Sequence, residues 1–417
     1  MKRIITALLL IGAAGKVCAQ SHQANDTQAA KFVKYYNANR PDSIYTLLSD
    51  AGKAKVPLTG VTSAVTQLKS ALGNLVSHEY YQPVSNGGDS YVGVFEKSGP
   101  VFYISFNKEH KLTGFFTNVD KRIAPGAVTI NVPGAVLKGT LTVPDTAGKM
   151  PVVLIIAGSG PTDRNGNTVS MDMRPNTYLM LADSFKQKNI AALRYDKRLV
   201  GQSTATKSQA QTTFEDVIND AVACIKFLKA DGRFSKVIVA GHSEGSLIAM
   251  LACQQEKVDG FISLEGAGFP LDEVLKQQIQ TSSPAAYNKA APVIDSIKAG
   301  QPIKQKLDAD FENLFGASVQ TYLHTWFKYN PTAELAKVSV PVLIVQGTTD
   351  IQVGLADALS LKRSRGDIRL KIITGMSHIL KNGPEDRREN AATYFKPNLP
   401  LHSELMPALL NFIKNIK

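Results

Sequence analysis

The chain has 417 residues, 44% of them hydrophobic and 20% charged, and a formal net charge of +12. Such a length suggests more than one folding unit, and such a composition excludes a disordered or fibrous chain. Lys and Arg are scattered, with no basic helix and no aromatic interleaving, so a nucleic-acid partner is not expected.

The first stretch, "MKRIITALLLIGAAGKVCAQ", has a basic start (Lys2, Arg3), an apolar run from Ile4 to Ala14, and small residues at Val17 and Ala19. It reads as a secretory signal over residues 1–19, cleaved near Ala19, which makes the product exported, either periplasmic or secreted. The run is too short to span a bilayer, and no later segment is long enough, so no membrane span is expected. Val17 stands where a lipid-attachment site before Cys18 wants a smaller residue. Cleavage leaves Cys224 and Cys253, both inside helix-like apolar patterns, where free and buried thiols are expected rather than a bridge. No Cys or His spacing fits zinc, and neither metal nor cofactor is expected.

Residues 25–120 read as a small α+β domain. Helical periodicity runs through Ala30, Val33 and Tyr36 and again through Ile44, Leu47 and Leu48. Four strand-like runs follow, "HEYYQPVS", "SYVGVFEK", "PVFYISFN" and "KLTGFFTNV", with turn residues between them. "KRIAPGAV" reads as a linker. Over residues 126–417 the pattern changes: "VTINV" and "GTLTVP" resemble a hairpin, "PVVLIIAG" a fully buried strand, and helical and strand segments then alternate. That alternation predicts a doubly wound, mostly parallel α/β sheet. An interruption at about residues 269–338 holds three helical patterns, one of them "ENLFGASVQTYLHTWFKY", and predicts a helical cap.

The chemistry concentrates at "KVIVAGHSEGSLIAMLAC", where a β-branched run meets a helical one at Gly241-His242-Ser243-Glu244-Gly245. A Ser on such a turn is strained and exposed above the sheet edge, and the flanking glycines avoid collisions with neighbouring strand and helix. Three histidines follow: His324 in the cap, His402 at the start of the last helix, and His378 in a loop after the strand "IRLKIITG". His378 is the candidate base, because doubly wound sheets gather reactive groups at strand ends. Asp350, after "PVLIVQG", is the candidate acid; Glu265, after "FISL", competes with it or else lines the pocket. The two oxyanion donors are expected from the backbone N–H of Glu244 and of Ser159, with Gly160 the alternative to Ser159. Asp163, Asn165 and Asn167 imitate the start of a calcium loop, but Thr168 and Arg174 occupy positions needing Gly and Glu. The charges there and in "RYDKRLVGQS" are expected to pair and hold loops.

With "GSGPTDRNGN", "RYDKRLVGQS", "GHSEGS" and "VPVLIVQGTTDIQV" in that order, the chain resembles the α/β-hydrolases, in particular their bacterial serine esterase branch, from about Val128 onward. The resemblance implies Ser243 as nucleophile, Asp350 as acid and His378 as base, acting on a small carboxylic ester. The segment before it resembles a small domain of unknown function found ahead of such hydrolases, read as a docking or shielding module or as a stabiliser. A peptidase or acyl transferase using the same three residues is the alternative, and a non-catalytic binding protein a further one. Oligomeric state is left open by the sequence.

Overall fold

In a computed structural model, residues 18–84, 87–96, 101–118, 126–145, 148–301, 303, 307 and 309–416 are described. The expected signal, apart from Cys18 and Ala19, lies outside these residues, as does most of the expected linker. Contacts divide the chain into one unit within Lys16–Ala127 and another over Val128–Lys417.

The smaller unit has helices α1 (Cys18–Asn37), α2 (Pro41–Leu47), α3 (Asp50–Lys55) and α4 (Leu58–Leu72). They are followed by strands β1 (Leu75–Pro83), β2 (Asp89–Phe95), β3 (Val101–Phe106) and β4 (Leu112–Asn118). The strands pair antiparallel in sequence order. Phe32 and Tyr36 of α1 and Val61 and Val65 of α4 pack with Phe102, Ile104 and Phe106 of β3. Of the face expected on α1, Tyr36 is buried, but Ala29 and Phe32 are buried in place of Ala30, which is exposed, and Val33, which is half-buried. Both sets recur at helical spacing, and the one with two aromatic rings removes more apolar area from water.

The larger unit opens with β5 (Ala127–Val132), β6 (Ala135–Thr142) and β7 (Met150–Ile156), then α5 (Thr177–Lys186), β8 (Ala191–Tyr195) and β9 (Thr204–Ala205). α6 (Phe214–Lys229), β10 (Phe234–His242), α7 (Glu244–Gln255) and β11 (Gly260–Leu264) follow. Next come α8 (Leu271–Ser282), α9 (Pro284–Lys298), α10 (Ala309–Phe315), α11 (Gln320–Trp326) and α12 (Pro331–Ala336). The chain closes with β12 (Val342–Gly347), α13 (Leu355–Arg363), β13 (Arg369–Ile373), α14 (Arg387–Ala392) and α15 (Leu405–Lys414). Where three helical patterns are expected between residues 269 and 338, five helices stand among the described residues. The long pattern breaks after Phe315, since a Cβ at Gly316 would come 2.3 Å from Glu312 O.

The strand order is β13-β12-β11-β10-β7-β8-β6-β5, with β9 beside β6. From β8 to β13 every pairing is parallel, and β6 runs antiparallel to β8. Alternate residues of β7 enter two different cores. Val152, Leu154 and Ile156 meet Phe214 and Ile218 of α6 and Leu247 of α7. Val153 and Ile155 share the other core with Leu181 and Phe185 of α5 and Leu409 and Phe412 of α15. Burial on both faces explains why these strands are continuous apolar runs rather than alternating ones. After β7 the chain moves to one neighbour, β8, and later returns to the other, β10. The order reverses between β7 and β10, and at such a point the loops beyond the carboxyl ends diverge and leave a crevice.

Candidate active site

Ser243 sits at the end of β10, at that reversal, with φ 55° and ψ −121°. This backbone conformation is costly for a residue with a Cβ, and it persists only where its surroundings enforce it. The enforcement is steric and hydrogen-bonded. A Cβ on Gly241 would come 2.1 Å from Gly245 O, and one on Gly245 would come 2.4 Å from Ile156 O. The Ser243 N–H donates to Leu264 O of β11 at 2.9 Å. The result is a half-buried hydroxyl at the start of α7, lining a cavity together with His378, Ser159 and Gly158.

His378 follows β13, and its Nδ1 lies 2.7 Å from Asp350 Oδ2 in the loop after β12. Asp350 also accepts the backbone N–H of Gln352 and Val353 on Oδ1, at 2.7 and 3.0 Å. Burial alone would raise the Asp350 pKa, but the facing imidazole and its hydrogen bond outweigh burial and hold it below the usual carboxylate range. An ionised Asp350 requires the proton of His378 on Nδ1, which leaves the Nε2 lone pair available as a base.

A hydrogen-bonded chain that sequence reasoning does not reveal fixes the loop carrying His378. The Gly158 N–H donates to Tyr178 Oη at 2.9 Å, and that hydroxyl is 2.8 Å from His242 Nδ1. His242 Nε2 is in turn 2.7 Å from the backbone carbonyl of His378. The carbonyl only accepts, so His242 carries its proton on Nε2 and takes the Tyr178 hydroxyl proton on Nδ1. Burial, and then the nearby His378 ring, lower the His242 pKa to about 3, which keeps this tautomer neutral. The chain ties the loop after β7, the serine turn and the loop after β13 into one unit. His242 is visible in "GHSEG"; Tyr178 has no local signal.

The expected oxyanion donors stand on either side of Ser243. Glu244 opens α7, so its N–H is among those with no acceptor inside the helix. Ser159 lines the cavity from the loop after β7, beside Gly158, on which a Cβ would stand 3.2 Å from Ser243 Cβ. Gly160, with φ 75°, lies one residue further on and is not among the lining residues.

Glu265 does not line the cavity either. It is fully buried at the end of β11, accepts the Gly347 N–H at 2.9 Å, and feels the charge of the Asp350 carboxyl. Glu265 Oε2 is buried without a hydrogen-bond partner, a costly place for an ionised oxygen. Burial, reinforced by the charge of Asp350, raises the Glu265 pKa well above its ordinary value, so the proton resides on Glu265. His378 bonds to Asp350, and the competing acid is the neutral partner.

Among the described residues, none of the cap lines the cavity. The lining comes from residues 158–178, 242–243, 352 and 378–394, none of them between 269 and 338. Met173, Ile379 and Tyr394 pack into an apolar cluster on that wall. His324 bonds to Ile297 O in the cap, and His402 Nδ1 accepts the Glu404 N–H, so neither reaches Ser243. Arg164 of one loop pairs with Asp196 of the other at 2.6 Å, and Arg198 pairs with Asp220 of α6 at 2.6 Å. Asp163 Oδ1 accepts the N–H of Asn165 and Asn167, which makes it a turn-former. Cys224 and Cys253 are free thiols, buried and half-buried respectively. Among the described residues no cluster of His, Cys, Asp or Glu could hold a metal, and no helix is long and apolar enough to cross a membrane.

A doubly wound sheet with a strained serine turn at its reversal point, and a His–Asp pair on the loops beside it, defines an α/β-hydrolase. Residues 173–385, just over half of the chain, match the family described as serine aminopeptidase, S33. The chain belongs to that family. Residues 29–115 match a family described as a protein of unknown function (DUF3887). The chain is similar to esterase EstD of Thermotoga maritima, 24% identical over 378 residues, or 86% of this chain and 89% of that protein. Among solved structures it is similar to Est1E from Butyrivibrio proteoclasticus with bound ferulic acid, at 19% identity and a TM-score of 0.45 over 69% of this chain and 100% of the other. A thermophilic esterase from Thermogutta terrifontis gives 15% identity and a TM-score of 0.44 over 70% and 98% of the two chains.

Proposed function

We propose that the protein is an exported serine hydrolase that cleaves carboxylic esters through an acyl-enzyme. The observation that carries the reading is the 2.7 Å contact of His378 with Asp350 in a cavity shared with the strained Ser243. Ser243 Oγ attacks the ester carbonyl while His378 Nε2 takes its proton. The carbonyl oxygen becomes an alkoxide held by the Ser159 and Glu244 N–H groups. As the intermediate collapses, the C–O bond to the alcohol breaks and His378 returns the proton to the leaving oxygen. Water, deprotonated by the same imidazole, then releases the acid and restores Ser243. The apolar wall of Met173, Ile379 and Tyr394 suits an aliphatic or aromatic acyl group.

The family description raises a second reading, a peptidase acting at a free amino terminus. An α-ammonium group needs an anionic anchor, and among the described residues lining the cavity there is no Asp or Glu. The name of the similar Thermotoga maritima protein also favours an ester.

Purified protein is expected to hydrolyse nitrophenyl esters and not aminoacyl nitroanilides. A fluorophosphonate is expected to label Ser243, and Ser243→Ala to lower kcat by at least about 10⁵-fold with the fold intact. Retained turnover in S243A would refute the nucleophile. Export is supported by the pattern of residues 1–19 alone, and amino-terminal sequencing of the mature protein is expected to begin at Gln20.

A further inference from the structure

In "RYDKRLVGQS" the pairing of loops accounts for Asp196 and Arg198 but not for Lys197. That side chain runs from the loop after β8 to the loop after β7, with only 9% of it exposed. Its Nζ donates to Gly158 O at 2.6 Å and lies 3.4 Å from Glu244 Oε2. The other carboxylate oxygen of Glu244 accepts the hydroxyl of Tyr322, from cap helix α11. A buried ammonium is expensive to desolvate, and a carboxylate with a hydroxyl behind it is the set of partners that makes it tolerable.

The acceptor is what gives Lys197 its meaning. Gly158 O belongs to the peptide whose N–H is that of Ser159. In a trans peptide the carbonyl and the N–H point to opposite sides, and the described residues contain no cis bond. With its oxygen fastened to Lys197, this peptide turns the Ser159 N–H to the side away from the ammonium, and Ser159 lines the same cavity as Ser243. The preceding N–H, that of Gly158, is already committed to Tyr178, so both peptides around Gly158 are fixed. A charge-assisted bond at the oxygen also draws electron density from nitrogen and makes the Ser159 N–H a stronger donor.

We propose that Lys197 is a positioning residue, which aims and polarises the Gly158–Ser159 peptide so that the Ser159 N–H holds the developing alkoxide. Glu244 and Tyr322 keep the ammonium in place, so the cap acts on the oxyanion site rather than on the acyl pocket. The inference rests on Ser243 being the nucleophile, and that reading is tested first: wild-type protein must take the fluorophosphonate label and S243A must not.

The deciding comparison is K197M against K197R, with nitrophenyl acetate as substrate and a trifluoromethyl ketone as a mimic of the tetrahedral state. Losing a whole oxyanion donor costs about 10²–10³-fold in kcat, so misaiming one is expected to cost about 10–100-fold in K197M. KM should change less than about threefold, ketone affinity should fall in parallel with kcat/KM, and K197R should recover part of both. A merely structural lysine predicts otherwise. If K197M keeps kcat within about threefold, or loses kcat while ketone affinity is unchanged, the proposal is overturned. Should K197M not fold, K197Q, which retains a neutral donor, is judged by the same two criteria.

Discussion

Two loops at the same edge of the sheet, after β11 and after β12, each present one carboxyl group to the same buried space. Glu265 and the Asp350 side chain are equally withdrawn from solvent, at 0% exposure. Their acidities nevertheless move in opposite directions, Glu265 upward and Asp350 downward. Burial pushes both up, so burial does not separate them. Asp350 has an imidazole and two backbone N–H donors, whereas Glu265 has one N–H and a neighbouring carboxyl. The difference teaches that partners rather than burial separate the two carboxyls: the one facing His378 is held toward its ionised form, and the other is pushed toward its protonated form.

The comparison can be broken most directly at Asp350. Asp350→Asn is expected to lower kcat on a nitrophenyl ester by about 10⁴-fold with KM little changed, because the amide favours the wrong tautomer of His378. A loss of less than about tenfold would mean that Glu265 serves as the acid after all. Glu265→Leu removes the acceptor of the Gly347 N–H and a polar group from beside Asp350. It is expected to cost about tenfold in kcat, and about 1–3 kcal/mol of stability in urea unfolding for the orphaned N–H. Glu265→Gln keeps a donor and an acceptor of the same shape, and kcat is expected to stay within about threefold.

The pH profile of that last variant sharpens the contrast. A neutral Glu265 adds no charge beside His378, so the acidic limb of kcat/KM in E265Q should coincide with that of wild type. A limb displaced to lower pH would show that wild-type Glu265 is ionised. The smallest effect is on stability. Above about pH 4.3 glutamate in the unfolded chain releases its proton, while buried Glu265 retains it, so rising pH favours the unfolded wild type. E265Q lacks that linkage, and its melting temperature should gain on wild type steadily from about pH 4 to 7. A difference that is constant across this range would count against the protonated carboxyl.

How much was legible depends on how local each cause is. Ser243 could be read from a handful of residues, because Gly241 and Gly245 are required by contacts that any strand-to-helix turn of this kind makes. His378 could be read from its place after an apolar strand. Asp350 could be preferred to Glu265 from its motif, but both end strands and neither position alone says which faces the imidazole. The apolar stripe of α1 holds Tyr36 as expected but passes through Ala29 and Phe32 rather than Ala30 and Val33, because helical spacing alone admits two neighbouring faces. The cap was visible as an insertion, but its five helices and its absence from the cavity wall were not.

The amino-acid sequence by itself determined the alternation of strands and helices, the serine turn and the candidate partners, because these follow from periodicity and short-range sterics. Only the tertiary structure decided which carboxyl is ionised, how Tyr178 and His242 hold the loop of His378, and that Lys197 grips Gly158. Each of those outcomes depends on groups far apart in the chain meeting in a space that excludes water, where a single hydrogen-bond partner outweighs the intrinsic chemistry of the side chain.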